Sequence, residues 1–237
     1  MDLTTAGRYR VLGRPRDPEE LLLVELPADG MDDADPEEAF APTYVDATGY
    51  DDGLAAAVGS IDAGNVVDAD LTWHDGTPRF DTLSVVAETT FTFADGVTGM
   101  FEAAKSTWMV AEAENEGMNA RVTRSTDGDP NGALYVFAKQ SGARDLFSEF
   151  RNGIMPLEPL IRRVDGHENS TLMDQPADHR SAECSESGES DRIDVPPEPE
   201  QPRAVFVMRP TDEPFIVVYI VFNRDGMLAK TVRDTYV

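Results

Sequence analysis

Phe215 to Phe222 reads FIVVYIVF, an unbroken apolar run bounded by Pro214 and by the turn Asn223-Arg224-Asp225-Gly226. A run this short, rich in β-branched and aromatic residues and closed by turn signals, predicts a strand buried on both faces. Such a strand requires a covering layer on each side, helices or a second sheet. The chain of 237 residues has the length to supply them, as one large or two small domains with cores that need no disulfide.

Upstream, Gly7–Leu12 alternates and reads as a strand, Glu20–Leu26 as a second and Thr43–Ala47 as a third. Between the second and third, Pro27–Pro42 is an acidic loop rich in turn formers. Asp52–Ile61 places Leu54, Ala57, Val58 and Ile61 at helical spacing. Asn65–Trp73 alternates again, His74-Asp75-Gly76 supplies a hairpin turn, and Pro78–Thr90 returns as a fifth strand. Three strands, a short helix and a two-stranded hairpin in this order resemble the OB-fold, a small five-stranded barrel. The resemblance covers residues 7 to 90 and rests on element order.

From Asp95 the period becomes helical. Val97, Met100, Phe101, Ala104, Trp108 and Ala111 line one stripe, with Asp95 as the expected cap and Gly117 as the expected stop. Ala120–Ser125 and Ala133–Ala138 read as a strand pair. Ser141 caps a helix carrying Leu146, Phe147 and Phe150, which Gly153 stops, and Pro156–Val164 forms another helix. Ala204–Met208 precedes the Phe215–Phe222 strand. The Asp225-Gly226 turn then favours a return strand from Met227, although Leu228, Val232 and Tyr236 also fit a helix. The predicted fold class is α+β: an N-terminal small five-stranded OB-like β-barrel at residues 1–92, then an α+β domain at 93–237 whose antiparallel sheet is covered by helices. Residues 165–202 hold eleven acids against two arginines and few large apolar side chains, so a disordered acidic loop is expected there.

The formal net charge is −25, and only Lys105, Lys139 and Lys230 are lysines. Hydrophobic residues make up 41% of the chain and fall in periodic segments, which argues against an acidic disordered polymer. The composition fits a folded protein in a high-salt solvent. At ~1 M salt the Debye length is about 3 Å, so surface carboxylates hardly repel one another. Cys184 is the sole cysteine, so no disulfide forms within the chain. No apolar run is long enough to span a membrane, and Met1–Thr5 lacks the features of a secretory signal, so a cytoplasmic location is expected.

Several segments carry a resemblance that spans nearly the whole chain except the acidic loops. They are GRYRVLGRPRDPEE (Gly7–Glu20), DGDPNGALYVFA (Asp127–Ala138), GARDLFSEFRNG (Gly142–Gly153), VFVMRP (Val205–Pro210), and VYIVF with VRDTY (Val218–Phe222 and Val232–Tyr236). These resemble an uncharacterised protein family of halophilic archaea. The resemblance implies lineage and location, and carries over no functional residues.

The residues offer four kinds of chemistry. Arg8, Arg10, Arg14 and Arg16 fall within ten residues free of acids. In an OB-like barrel they would lie near the face and loop that bind oligonucleotides, with Tyr44 and Trp73 as stacking surfaces alongside Tyr9, Tyr50 and Phe80. The competing reading pairs these arginines with neighbouring acids and puts the aromatics in the core. Asp127, Asp129 and Asn131 match the first half of a calcium loop, but Ala138 stands where the bidentate Glu belongs, and a plain turn explains the same residues. For an enzyme, His167, His179 and Cys184 fall in the expected disordered stretch and His74 in a hairpin turn, so no nucleophile and base pair up. No cofactor is expected. The leading expectation is a non-enzymatic interaction module with an unknown protein partner; single-stranded nucleic acid or a phosphate ligand is the alternative, and an uncharacterised enzyme ranks last.

Overall fold

Alternation along Leu3–Gly13 (β1) sends Tyr9 and Val11 to one face of a sheet and Arg8, Arg10 and Leu12 to the other. The computed structural model describes residues 3–26, 42–74, 76–140, 142, 144–167 and 202–237. Most of the two acidic loops, with Asp75 and the expected cap Ser141, lies outside the described residues.

β1 pairs antiparallel with Glu20–Glu25 (β2) and with Val66–His74 (β4). Pro42–Asp46 (β3) extends one side and Thr77–Ala87 (β5) the other, giving the order β3-β2-β1-β4-β5. Asp52–Gly59 (α1) follows β3 and plugs one face of this sheet with Val58, against Tyr9, Val11, Leu21, Leu23 and Phe80. The five strands and the helix fall in the order expected.

Among the described residues the five strands do not close into a barrel. The outer strands β3 and β5 approach through Arg79 Nη1, which donates to Asp46 Oδ2 at 2.9 Å, and just past β3 the Tyr50 hydroxyl accepts the Phe80 amide at 3.1 Å. Among the described residues no backbone ladder joins them. Both margins are built to stop pairing. β3 is five residues long and begins at Pro42, while β5 carries an extra residue at Asp81 and another at Val86.

Thr90–Val97 (β6) begins a second sheet. Glu102–Glu114 (α2), Met118–Arg124 (β7), Pro130–Ala138 (β8), Leu146–Arg151 (α3), Glu158–His167 (α4), Ala204–Pro210 (β9), Phe215–Val221 (β10) and Met227–Tyr236 (α5) complete the chain. The strand order is β6-β9-β10-β8-β7. Every residue of β10 is buried, as its composition demands. β9 alternates between two cores: Val205 and Val207 face α3 and α4, while Phe206 and Met208 face α2 and α5.

Three expectations are corrected here. First, Asp95 does not cap a helix; it lies in β6, and α2 begins at Glu102. Phe91 and Phe93 alternate into the α3/α4 core, and the extra residue at Gly96 turns Val97 to the opposite core with Ala94. That bulge lets Val97 mimic the start of a helical stripe. α2 ends on Asn115 in the left-handed conformation (φ 56°), ahead of Gly117. Second, the sheet is mixed, because β6 runs parallel to β9. Third, Met227–Tyr236, where the turn signal favours a strand and the Leu228, Val232, Tyr236 spacing fits a helix, is a helix: i, i+3 spacing buries Ala229 and Val232 against the sheet.

The α3/α4 core also contains Leu12, Leu22 and Val24 from the outer face of the first sheet. The two sheets thus share apolar contacts. Gly153 makes the approach possible: with φ at 72°, its missing Cβ would sit 2.7 Å from Leu12 Cδ1.

Candidate functional site

The four arginines of the N-terminal run leave β1 and its turn in different directions. Arg8 lies directly across from Asp68 on β4 and grips it with two hydrogen bonds, at 2.8 and 3.1 Å. Both side chains are about half exposed. Hydrogen bonds from Arg8 hold the Asp68 carboxyl below the usual carboxylate range.

Arg10 is two residues along the same face and is 1% exposed. Its Nη2 donates to Glu158 Oε1 of α4 at 2.7 Å, its Nε reaches the same carboxylate, and its Nη1 donates to the Gly64 carbonyl at 2.8 Å. The guanidinium lies 5.6 Å from the Phe91 ring centroid. Arg10 is therefore a dry strut between the sheets, and its expected place in a nucleic-acid face is corrected. A strand face shared with Leu12 dictates this, since that face packs on the second sheet.

Arg14 donates to the Pro18 carbonyl within the β1–β2 turn. Arg16 donates to Glu20 Oε2 at 3.2 Å and stacks 4.2 Å over the Tyr44 ring. Trp73 pairs with Leu3 at the far end of β1, and its indole N–H donates to Thr5 Oγ1 at 3.3 Å. Ten residues of strand separate Leu3 from the turn, roughly 30 Å of chain. Arg14, Arg16 and Tyr44 come together at one end of the sheet, and Trp73 does not join them.

Asp127, Asp129 and Asn131 lie on and just after the β7–β8 turn. The Asp127 amide donates to Ser125 Oγ, Asp129 C=O accepts the Ser125 amide, and Asn131 Oδ1 accepts the Thr123 hydroxyl at 2.8 Å. Thr123 also bonds the Tyr219 hydroxyl. These contacts fasten the turn to β7 and β10. Among the described residues, no three His, Cys, Asp or Glu side chains gather as a metal would require.

The densest polar cluster was not anticipated. It caps the carboxyl ends of the parallel pair β6 and β9. Arg209 takes Asp95 with two hydrogen bonds and Asp145 with a third at 2.6 Å, while its guanidinium stacks 4.7 Å over Phe147. Arg209 lowers the Asp95 carboxyl, and the Ser148 hydroxyl with Arg209 lowers that of Asp145. Beside it, Lys139 Nζ donates to the Pro210 and Glu213 carbonyls, and burial pushes its pKa down. The arrangement ties β6, β8, β9 and α3 together, with each of the four charged groups hydrogen-bonded within it. The sequence signal for it was the Met208-Arg209-Pro210 end of a buried strand.

A profile for a family of unknown function, DUF6663, matches residues 1–237. The chain belongs to that family. No curated protein and no solved structure matches it. For this DUF6663 chain the geometry must therefore supply the functional argument. Among the described residues no helix is long and apolar enough to cross a membrane.

Proposed function

We propose that this chain is a cytoplasmic protein of a halophilic archaeon that acts by binding another protein, as a non-enzymatic interaction module. The supporting observation is the outer half of β5. There Val85 and Val86 are 42% and 41% exposed on the margin of the first sheet, and Val86 is the bulged residue with no cross-strand partner. Adjacent apolar side chains on an open strand margin suit protein contact better than phosphate contact. The neighbouring arginines point the same way: Arg8, Arg10, Arg16 and Arg79 each hold a carboxylate of the chain itself.

The test is co-purification from the native cytosol at molar KCl. A partner retained in stoichiometric amount, and lost on Val85→Asp with Val86→Asp while the circular dichroism stays constant, supports the reading. A partner list identical for the wild type and the double variant sinks it.

A second reading is single-stranded nucleic-acid binding by an OB-like first domain. The strand order β3-β2-β1-β4-β5, with α1 between β3 and β4, supports that fold assignment. The Arg16–Tyr44 stack is the specific feature that favours the ligand. A gel shift with single-stranded RNA and DNA at molar KCl, abolished by Arg14→Ala with Arg16→Ala, would favour it. No shift at any oligonucleotide length removes it.

A further inference from the structure

The second sheet ends on β7, whose outer side carries no strand among the described residues. The ladder to β8 fixes which backbone groups are left over. The Ala138 amide donates to the Gly117 carbonyl at 2.8 Å, and Gly117 and Ala138 continue the register that pairs Met118 with Phe137. Alternation along an antiparallel pair then turns the amides and carbonyls of Met118, Ala120 and Val122 away from β8. The Ala120 amide agrees: it bonds Asn119 Oδ1 at 2.7 Å, on the side away from β8.

α2 lies against the same edge. Arg121 Nη1 donates to Ser106 Oγ and Asn119 Nδ2 to the Thr107 carbonyl, each at 3.3 Å. Ser106, Met109, Val110 and Ala113 form one stripe on α2 by their i, i+3, i+4, i+7 spacing. Met109 is 60% exposed and Val110 47%. An open strand and an exposed apolar stripe thus run side by side. From Met118 to Ser125 the only charged residues are Arg121 and Arg124. Their side chains donate to neutral oxygens, of Ser106 and Gly128, in contrast to the carboxylate-bound arginines of the first sheet.

We propose that a second copy of this chain occupies this edge, β7 against β7 antiparallel with the two-fold axis at Ala120, making one ten-stranded sheet. The register follows from self-complementarity. Outward-facing residues must pair with outward-facing residues, so Ala120 meets Ala120 and Met118 meets Val122 of the second copy. In the same register Arg121 lies opposite Asn119 and Arg124 comes toward Glu116. No like charges oppose one another, and each cross-strand contact occurs twice, as an isologous interface requires. Shifting the register by two residues either way loses the Arg124–Glu116 approach. Across the axis the two α2 stripes face each other over the joined sheet. Asn119 holds the Ala120 amide in the single chain and gives it up to the carbonyl of the second copy.

The test is sedimentation of the full chain in molar KCl. The expected mass is twice 25.9 kDa. Val122→Pro removes an amide that only the second copy uses, and proline is tolerated where a strand N–H faces outward, so a folded monomer is expected. Arg124→Glu alone weakens the dimer roughly threefold to tenfold, since salt screens the pair, and Glu116→Arg in the same chain restores it. With Cys184→Ser, an Ala120→Cys chain forms an intermolecular disulfide, because hydrogen-bonded antiparallel partners stand about 5.5 Å apart at Cα. A monomer at all concentrations overturns the proposal. So does a dimer that survives Val122→Pro, or a monomer whose β7 amides gain exchange protection only on adding a foreign acidic peptide. These outcomes are independent of the Val85–Val86 partner test, so either reading can fall alone.

Discussion

Two arginine brackets hold this molecule together, and they differ chiefly in how wet they are. At the junction of the sheets, Arg10 and Glu158 are nearly sealed, with side chains 1% and 5% exposed. At the carboxyl ends of β6 and β9, Arg209 binds two carboxylates, yet Asp95 and Asp145 remain open to solvent. The second bracket spreads one guanidinium over two carboxylates, but water and salt compete for each. In the first, the buried guanidinium of Arg10 meets Glu158, a backbone carbonyl and an aromatic ring at a site nearly closed to solvent. Desolvation ranks the buried bracket higher for the cost of breaking it.

The largest expected effect is therefore Glu158→Ala. It leaves the Arg10 guanidinium buried without its carboxylate and costs about 3–5 kcal/mol. Denaturant unfolding at constant molar KCl measures this. Replacing both partners, Arg10→Met with Glu158→Leu, recovers most of the loss, because the penalty lies in the orphaned charge. A loss under ~1 kcal/mol for Glu158→Ala would mean that the junction admits water and that the comparison fails. Next in size is Gly64→Ala, in the loop whose carbonyl Arg10 uses. Gly64 has φ at 100°, and a Cβ there would lie 2.5 Å from the Phe91 amide nitrogen. Strain of about 1–3 kcal/mol is expected, read in the same unfolding experiment.

The contrast between the brackets also explains what could be read from the chain. Strands β1 to β5 and the buried β10 were legible because alternation and apolar runs are local signals. Arg16–Glu20 was legible in kind, since the partner sits four residues away. Arg10–Glu158 spans 148 residues in a chain full of carboxylates, and no local pattern selects that one. The start of α2 is hidden in the sequence because a bulge at Gly96 gives β6 a false helical phase. At α5 the local signals conflict, a hairpin turn favouring a strand and the Leu228, Val232, Tyr236 spacing fitting a helix, and tertiary packing decides for the helix. The same false phase at β6 makes Asp95 look like a cap, and its partner Arg209 lies 114 residues on, across a parallel pairing that the sequence does not announce.

The exposed bracket should reveal itself through pH. Asp95 and Asp145 have folded-state pKa values below the ordinary carboxylate value. Groups depressed in this way stabilise the fold above their unfolded pKa of about 4, and that stability is lost as pH falls through the folded values. Asp95→Asn should therefore flatten the decline of Tm between about pH 4 and 2 relative to the wild type. At neutral pH Arg209→Ala should cost about 1–2 kcal/mol, less than Glu158→Ala although Arg209 holds two carboxylates. Parallel Tm curves for wild type and Asp95→Asn across that window would show that the bracket contributes nothing through its charge.

The smallest effect is the sharpest control, because Arg8 and Arg10 are two residues apart on one face of one strand. Arg8 makes a bidentate bond to Asp68 with good geometry, yet both side chains are 48% exposed. Arg8→Ala should cost about 0–1 kcal/mol. At ~1 M salt, where the Debye length is about 3 Å, that difference should shrink further. Arg10→Ala should keep its effect across the same salt range, because the ions that screen Arg8 cannot reach it. Measuring both variants at low and molar KCl separates the two terms within one strand. If the two arginines respond equally to salt, the junction is open to solvent. The shared core built by Leu12, Leu22 and Val24 would then not seal the face that Arg10 occupies.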